Sequence, residues 1–416
     1  MLIHSASQLL TLAGGPQRGG ELGKLGIITD GAVLIEGEKI AAIGKSAELL
    51  SSFPDEPRVD ANGKVVMPGF VDPHTHAIWA GDRSAEFEQR LQGKTYMEIL
   101  AEGGGILSTV RATRISSLET ILDETRQRLW NMFAYGTTTA EIKTGYGLRT
   151  ATELRMLQAL LLLNKEGPLE IIPTFMGAHA IAPEYHGQAE AYTELICETM
   201  LPVLKEWWPH QAPYDRMPFV DVFCETGAFD LAQSRAILEK AKVLGFPLKI
   251  HADEFDNLGG ASLAAELGAA SADHLVKTSL EDIRILAKSE TVAVALPCTP
   301  FGLAENHYTP AQQILEADGL LAIATDLNPG TAWCENMQFA LALACRYMRL
   351  TPAQVIAAAT INSAAALTCQ DKLGSLEPGK QADLLILSAP DYRHLGYRFG
   401  INLVQTVIKK GHIYPV

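Results

Sequence analysis

Eight short apolar runs, separated by segments of helical periodicity, fill the middle of the chain: VVMPGFVDPH, TTTAEIK, LEIIPTFMG, FVDVFCE, FPLKIH, ASADH, TVAVALP and LLAIATD. Strands that are apolar almost throughout are buried on both faces, and strands that alternate with helices form parallel sheets. Eight such units predict a (β/α)8 barrel of the TIM type, an α/β fold. Two of the intervening segments, SLETILDETRQRLWNMFAYG and DLAQSRAILEKAKVLG, carry clear helical patterns, and the second is expected to stop at Gly245. The polar stretch 80–116 is expected as one long loop after the first strand. The two ends of the chain read differently. ITDGAVLIEGEKIAAIGK alternates apolar and polar residues around a turn at Gly37, and GSLEPGKQADLLIL and LVQTVIKKGHIYPV are punctuated by Gly and Pro. Residues 1–65 and 368–416 are therefore expected to join in one small β domain flanking a barrel over 66–367.

Catalytic groups of such barrels sit where strands end. The first run ends in Asp72-Pro73-His74-Thr75-His76. Residues i and i+2 of an extended segment point the same way, so both imidazoles can reach one ion. On its own this spacing is common by chance. However, the fifth run ends in His251, the sixth in His274, the third near His179 and the eighth in Asp326, although only 11 of 416 residues are histidine. Convergence at one barrel mouth is the simpler explanation. Neutral imidazoles with one carboxylate suit a divalent ion such as zinc or iron. Such an ion lowers the pKa of bound water to about 7 and needs a proton shuttle nearby. Glu254, three residues after His251, is a candidate.

Charge limits the partners. Thirty-four Lys+Arg against 48 Asp+Glu give a formal net charge of −14. An acidic surface repels nucleic acid and anionic membrane, so neither is expected as a partner. A small anionic substrate would need a local cation. No run is long and apolar enough to span a bilayer. MLIHSASQLLTLAGG does not read as a signal peptide, and the six cysteines form no CxxC pair. A cytoplasmic enzyme with reduced thiols is expected.

PGFVDPHTH, the strand-end histidines and the late Thr325-Asp326 pair resemble the amidohydrolase superfamily. The C-terminal GSLEPGKQADLLIL extends the resemblance over nearly the whole chain. It implies hydrolysis of amide or amidine C–N bonds in a metal-bearing barrel with a flanking β domain. Binuclear members carry a carboxylated lysine at the end of strand four. This chain has Phe223-Cys224-Glu225 there, and its Lys143 ends strand two. The resemblance thus implies one divalent metal ion, zinc or iron, held by His74, His76, His251 and Asp326, with His274 left for substrate or the attacking water.

The strings PHTHAIWAGDR, EIKTGYGL, FMGAHAIAPEY, KIHADEFDNLGG, SADHL and TDLNPGT resemble the branch of that superfamily that opens 4-imidazolone-5-propanoate to N-formimidoyl-L-glutamate in histidine degradation. They imply that Arg83 takes the propanoate carboxylate through its planar fork. Tyr146, between Gly145 and Gly147, would donate its hydroxyl to the same ligand, and His179 would hold a ring carbonyl or nitrogen. Asn328, Gly330 and Thr331 would line the opposite wall and contact carboxylates, although Asn328-Pro329-Gly330 is also a plain turn signal. Glu254 would contact substrate, and Glu254, His274 and Asp326 would share the proton transfers, with their division open. A homodimer is implied as well. Two rivals stand beside this reading. One is a mononuclear deaminase of a purine or pyrimidine, which shares the metal pattern but has no use for a cation at Arg83. The other is a catalytically silent barrel that serves in binding or assembly.

Overall fold

In a computed structural model, which describes residues 1–94, 98, 103–213 and 215–416, eight parallel strands line up in chain order: Phe70–Asp72, Thr137–Lys143, Glu170–Ala178, Phe219–Cys224, Lys249–Ala252, Ser271–His274, Val292–Ala295 and Leu321–Ile323. At least one helix follows each strand, as the alternating pattern requires. The sheet closes at its C-terminal rim. Asp326 N–H donates to His74 O at 3.1 Å, and His76 N–H donates to Leu327 O at 2.8 Å. Below them the Asp72 carboxylate accepts from Thr325 N–H and hydroxyl at 3.2 and 2.6 Å. Burial pushes the Asp72 carboxyl up to about 7 against those hydrogen bonds.

The helices owe their positions to apolar stripes and caps. Leu118–Ala134 starts at Ser117, whose side chain accepts from Thr120 N–H, and buries Ile121, Leu129, Met132 and Phe133. Leu231–Val243 starts on a capping box made by Asp230 and Gln233 and ends just before Gly245, which has φ +85°.

Both chain ends build a second, mixed sheet. Its order is His412–Pro415, Val404–Lys409, Leu384–Leu387, Val65–Pro68, Leu2–Leu10, Ile27–Glu36 and Lys39–Lys45, with Arg58–Asp60 beside Leu2–Leu10. Gly37, at φ +58°, makes the turn between Ile27–Glu36 and Lys39–Lys45. Ile3, Val33, Val66, Leu384 and Ile408 pack in its own small core.

Two expectations need correction. VVMPGFVDPH is not one strand. Val65–Pro68 pairs in the mixed sheet and Phe70–Asp72 in the barrel. The chain crosses at Gly69, packed so tightly on Thr138 that an added Cβ would collide with it, and the preceding Pro68 has no N–H for a ladder. The stretch 80–116 is not one loop either. Ser84–Leu91 and Ile106–Ile115 are helices, the second burying Thr109, Val110 and Thr113. Residues 95–97 and 99–102 of that stretch lie outside the described residues.

Branched apolar side chains usually fill the inside of a small barrel. Here the fully buried residues of the strands include Glu141, Lys143, Asp221, Lys249 and Asp273. Buried charges of this kind are rare unless paired, and they lie beneath the rim where the histidines gather.

Candidate metal centre

The rim brings four expected ligands together. His74 and His76 leave the first strand, His251 sits in the fifth, and Asp326 lies three residues beyond the eighth. His76 Nε2 stands 3.2 Å from His251 Nε2. Asp326 Oδ1 stands 3.4 Å from His74 Nε2 and 3.8 Å from His76 Nε2. Donor atoms bound about 2.0–2.1 Å from a tetrahedral ion are about 3.3 Å apart, so these spacings are those of a ligand shell. Two imidazole lone pairs facing each other at 3.2 Å repel unless a proton or cation lies between them. His74 Nε2 is buried with no hydrogen-bond partner. The donor set fits a borderline divalent ion.

His274, at the end of the sixth strand, also comes within 4.8 Å of donor atoms of His74 and His251. Its Nδ1 is 3.7 Å from Glu254 Oε2. His274 (φ +78°), Asp253 (φ +56°) and Asp326 (φ +53°) all adopt left-handed backbone, uncommon for residues other than glycine. Such conformations cluster where geometry serves a site.

Burial sets the electrostatics. It pushes His74, His76 and His274 well below the usual imidazole value, reinforced by neighbouring imidazoles and Lys143, so all three are neutral. Burial raises Asp326 to about 6 against the hydrogen bond from Thr299. Glu254 is raised well above the ordinary carboxyl range by burial and then by the nearby Asp326 charge.

Of the remaining expected residues, His179 and Tyr146 pack beside this cluster, and Arg83, Gly330 and Thr331 line a neighbouring cavity. His179 stacks on His76 with ring centroids 4.6 Å apart. Its Nδ1 is 3.1 Å from Gly145 O; a carbonyl only accepts, so the proton is on Nδ1 and Nε2 is left as an acceptor. Tyr146 is buried 5.2 Å from His179 and 6.0 Å from His76, centroid to centroid. Burial raises its phenol, and Arg83, Asp326 and Arg128 are the charges acting on it.

Arg83 Nε donates to Glu86 at 2.9 Å, and its Nη1 packs on Gly330. Together with Arg90, Cys298, Gly330, Thr331 and Trp333 it lines a cavity of about 380 Å³. That is in the range that holds a small ligand. The Asn328 side chain turns inward on its own loop. Oδ1 accepts from Gly330 N–H and Thr331 N–H, both at 2.8 Å, and Nδ2 donates to Asp326 O at 2.8 Å. The turn implied by Asn328-Pro329-Gly330 is therefore present. Those two amides are engaged within it, on the Asn328 side chain.

Sequence reasoning passed over the layer beneath. Asp273 Oδ2 is 2.6 Å from His74 Nδ1, and Asp221 Oδ2 is 3.1 Å from His251 Nδ1. Lys143, noted only as the wrong place for a bridging ligand, contacts Glu141 and Asp221, both at 2.7 Å. Burial alone would lower the Lys143 ammonium, and Asp221, Glu141 and Asp273 hold it up instead. Above the ligand layer, Glu225 accepts from Phe255 N–H at 2.9 Å and Asp256 N–H at 3.1 Å, clamping the loop that carries Glu254. The legible signal was a charged residue inside an otherwise apolar strand, as in TTTAEIK and FPLKIH.

The amidohydrolase family model matches residues 65–414, and a model of the bacterial imidazolonepropionase-like composite domain matches residues 31–55. An imidazolonepropionase of Herpetosiphon aurantiacus is 52% identical over 412 residues, covering 99% of this chain and 96% of that protein. One from Chloroflexus aggregans is 48% identical over 417 residues, covering 99% and 98%. Among solved structures, 5-methylcytosine deaminase from Klebsiella pneumoniae aligns with a TM-score of 0.74 at 17% identity, over 99% of this chain and 97% of that one. E. coli guanine deaminase aligns at 0.72 and 16%, over 100% of this chain and 99% of that one.

Proposed function

We infer the chemistry of this site from one premise: the chain belongs to the amidohydrolase family, in its imidazolonepropionase branch. It is a metal-dependent hydrolase that opens the ring C–N amide bond of 4-imidazolone-5-propanoate, giving N-formimidoyl-L-glutamate. We assign one divalent ion, zinc or iron, to His74, His76, His251 and Asp326. When bound, that ion polarises the ring carbonyl and acidifies water, so that hydroxide is available near neutral pH.

The chain's own groups do the rest. Arg83 holds the propanoate carboxylate by its fork, and the Tyr146 hydroxyl donates to the same end of the ligand. His179 offers Nε2 to a ring N–H. This orientation alone contributes several kcal/mol to lowering the barrier, on the order of the known proximity effects. Asp326 takes the proton of the attacking water. His274, neutral and with Nδ1 toward Glu254, donates from Nε2 to the developing oxyanion. Glu254, kept protonated by burial, gives its proton to the departing ring nitrogen as the C–N bond breaks. Asn328, Gly330 and Thr331 shape the wall that faces the ligand. The protein works as a cytoplasmic homodimer on this small anion, with neither nucleic acid nor membrane as a partner.

A single observation carries the reading: the segment that bears Asp326 of the buried imidazole–aspartate cluster runs on to Gly330, against which the Arg83 guanidinium packs, so a cation for an acidic tail lies within one short segment of the cluster. The test follows the loss of 4-imidazolone-5-propanoate by its ultraviolet absorbance, with metal measured on the same sample. Turnover with about one metal ion per chain is expected. Metal-loaded protein that leaves this compound intact but releases ammonia from guanine or cytosine would transfer the site to the deaminases.

A further inference from the structure

Two of the five charged groups inside the barrel, Asp221 and Asp273, have a feature that ordinary buried ion pairs lack. The oxygens that face the ammoniums also face the imidazoles. Asp221 Oδ2 is 2.7 Å from Lys143 Nζ and 3.1 Å from His251 Nδ1, a charge contact that favours the imidazole proton on that nitrogen although its angle falls short of a hydrogen bond. Asp273 Oδ2 is 2.6 Å from His74 Nδ1, 3.6 Å from Lys143 Nζ and 3.8 Å from Lys249 Nζ. Glu141 bridges the two ammoniums, at 2.7 Å from Lys143 and 3.3 Å from Lys249. Lys249 also donates to Pro73 O at 2.6 Å, pinning the backbone just before His74. All five side chains are fully buried.

Stability does not account for this arrangement. A buried ion network is weak evidence of stabilisation, since apolar replacements of the same volume often do as well. Location accounts for it better. An ionised carboxylate accepts only, so an imidazole facing one through Nδ1 carries its proton there and leaves the Nε2 lone pair for a cation.

We propose that Lys143, seconded by Lys249, is a positioning residue for the metal centre: its ammonium fixes Asp221 and Asp273, and these fix the tautomer and tilt of His251 and His74. The Lys143 ammonium contacts Glu141, Asp221 and Asp273 and none of the assigned ligands. It acts through two carboxylates on two ligands from different strands, which ties the second, fourth, fifth and sixth strands to the orientation of the first-strand ligand. The proposal rests on the assignment of His74 and His251 as ligands.

Lys143→Met keeps the stem and removes the charge. Competition of the full chain with a chromophoric chelator for Zn²⁺ should show the Kd rising about 10–100-fold, the usual effect of losing an outer partner of a ligand. In metal-free, ¹⁵N-histidine-labelled protein, His74 and His251 should carry the proton on Nδ1 in the parent and become tautomeric mixtures in the variant, a change that a packing role would not produce. A folded Lys143→Met protein with parental Zn²⁺ affinity, or with parental tautomers, overturns the proposal. Should Lys143→Met fail to fold, D273N and D221N take the same measurements; parental affinity in both overturns it equally. Neither readout uses substrate, so failure of the assigned hydrolysis and failure of this positioning role remain distinguishable.

Discussion

In the proposed reading, Arg83 reconciles an anionic ligand with a chain of net charge −14. Its Nε is taken by Glu86, and Nη1 faces the cavity wall at Gly330. A charge-assisted hydrogen bond is worth about 1.5–3 kcal/mol, so Arg83→Ala should raise KM about 10–150-fold with kcat changed much less. Arg83→Lys should recover little, because an ammonium lacks the planar fork. Steady-state kinetics on the anionic substrate checks both, and an unchanged KM would remove Arg83 from the binding role. His179 makes a pH statement. Burial, then the nearby His251, lowers its imidazole to about 3. A base so lowered stays neutral until the pH falls to that value, so its C2 proton resonance should stay flat between about pH 5 and 8. A midpoint near 6.5 would contradict the buried placement. The rim residues were legible because His and Asp at strand ends stand out against apolar runs. Asp221 and Asp273 were not, because their partners lie in other strands and only the barrel's register brings them together.

The segment after the eighth strand shows what an element adds to its residues. Asn328 ties Gly330 and Thr331 into a tight turn, and that turn sets the wall against which Arg83 rests. A Cβ at Gly330 would collide with the Arg83 guanidinium, which can swing away, since it is the far end of a flexible side chain. Gly330→Ala should therefore leave the melting temperature nearly unchanged while raising KM several-fold. A thermal melt and a kinetic assay on one preparation test this, and a variant with parental KM would show that Arg83 is not held by this contact. At this scale the sequence was partly readable. The alternation of runs implied the barrel. The split at Gly69 did not show, because an apolar run looks the same whether it serves one sheet or two. Ser84–Leu91 was also hidden: it is short, its apolar residues Phe87 and Leu91 are exposed, and it buries no residue, so only one i,i+4 pair marks it.

On the scale of the whole molecule, the metal centre and the fold are linked. An ion that binds only the folded chain adds about 2.7–4.1 kcal/mol when present at 100 to 1,000 times its Kd. Its removal leaves imidazole nitrogens facing each other at 3.2 Å. Stripping the metal with excess chelator should lower the melting temperature by several degrees, and re-adding Zn²⁺ should restore it; calorimetry showing no difference would place the ion elsewhere. The seam described above has a further consequence for biosynthesis. The chain emerges from its N-terminus, and Asp326 latches onto His74 only after the last barrel strand has been made. A nascent chain that has not reached the eighth strand displays the three assigned imidazoles, His74, His76 and His251, but lacks the aspartate and the closed ring. Loading with its proper ion is thus a late event, reserved for the finished polypeptide.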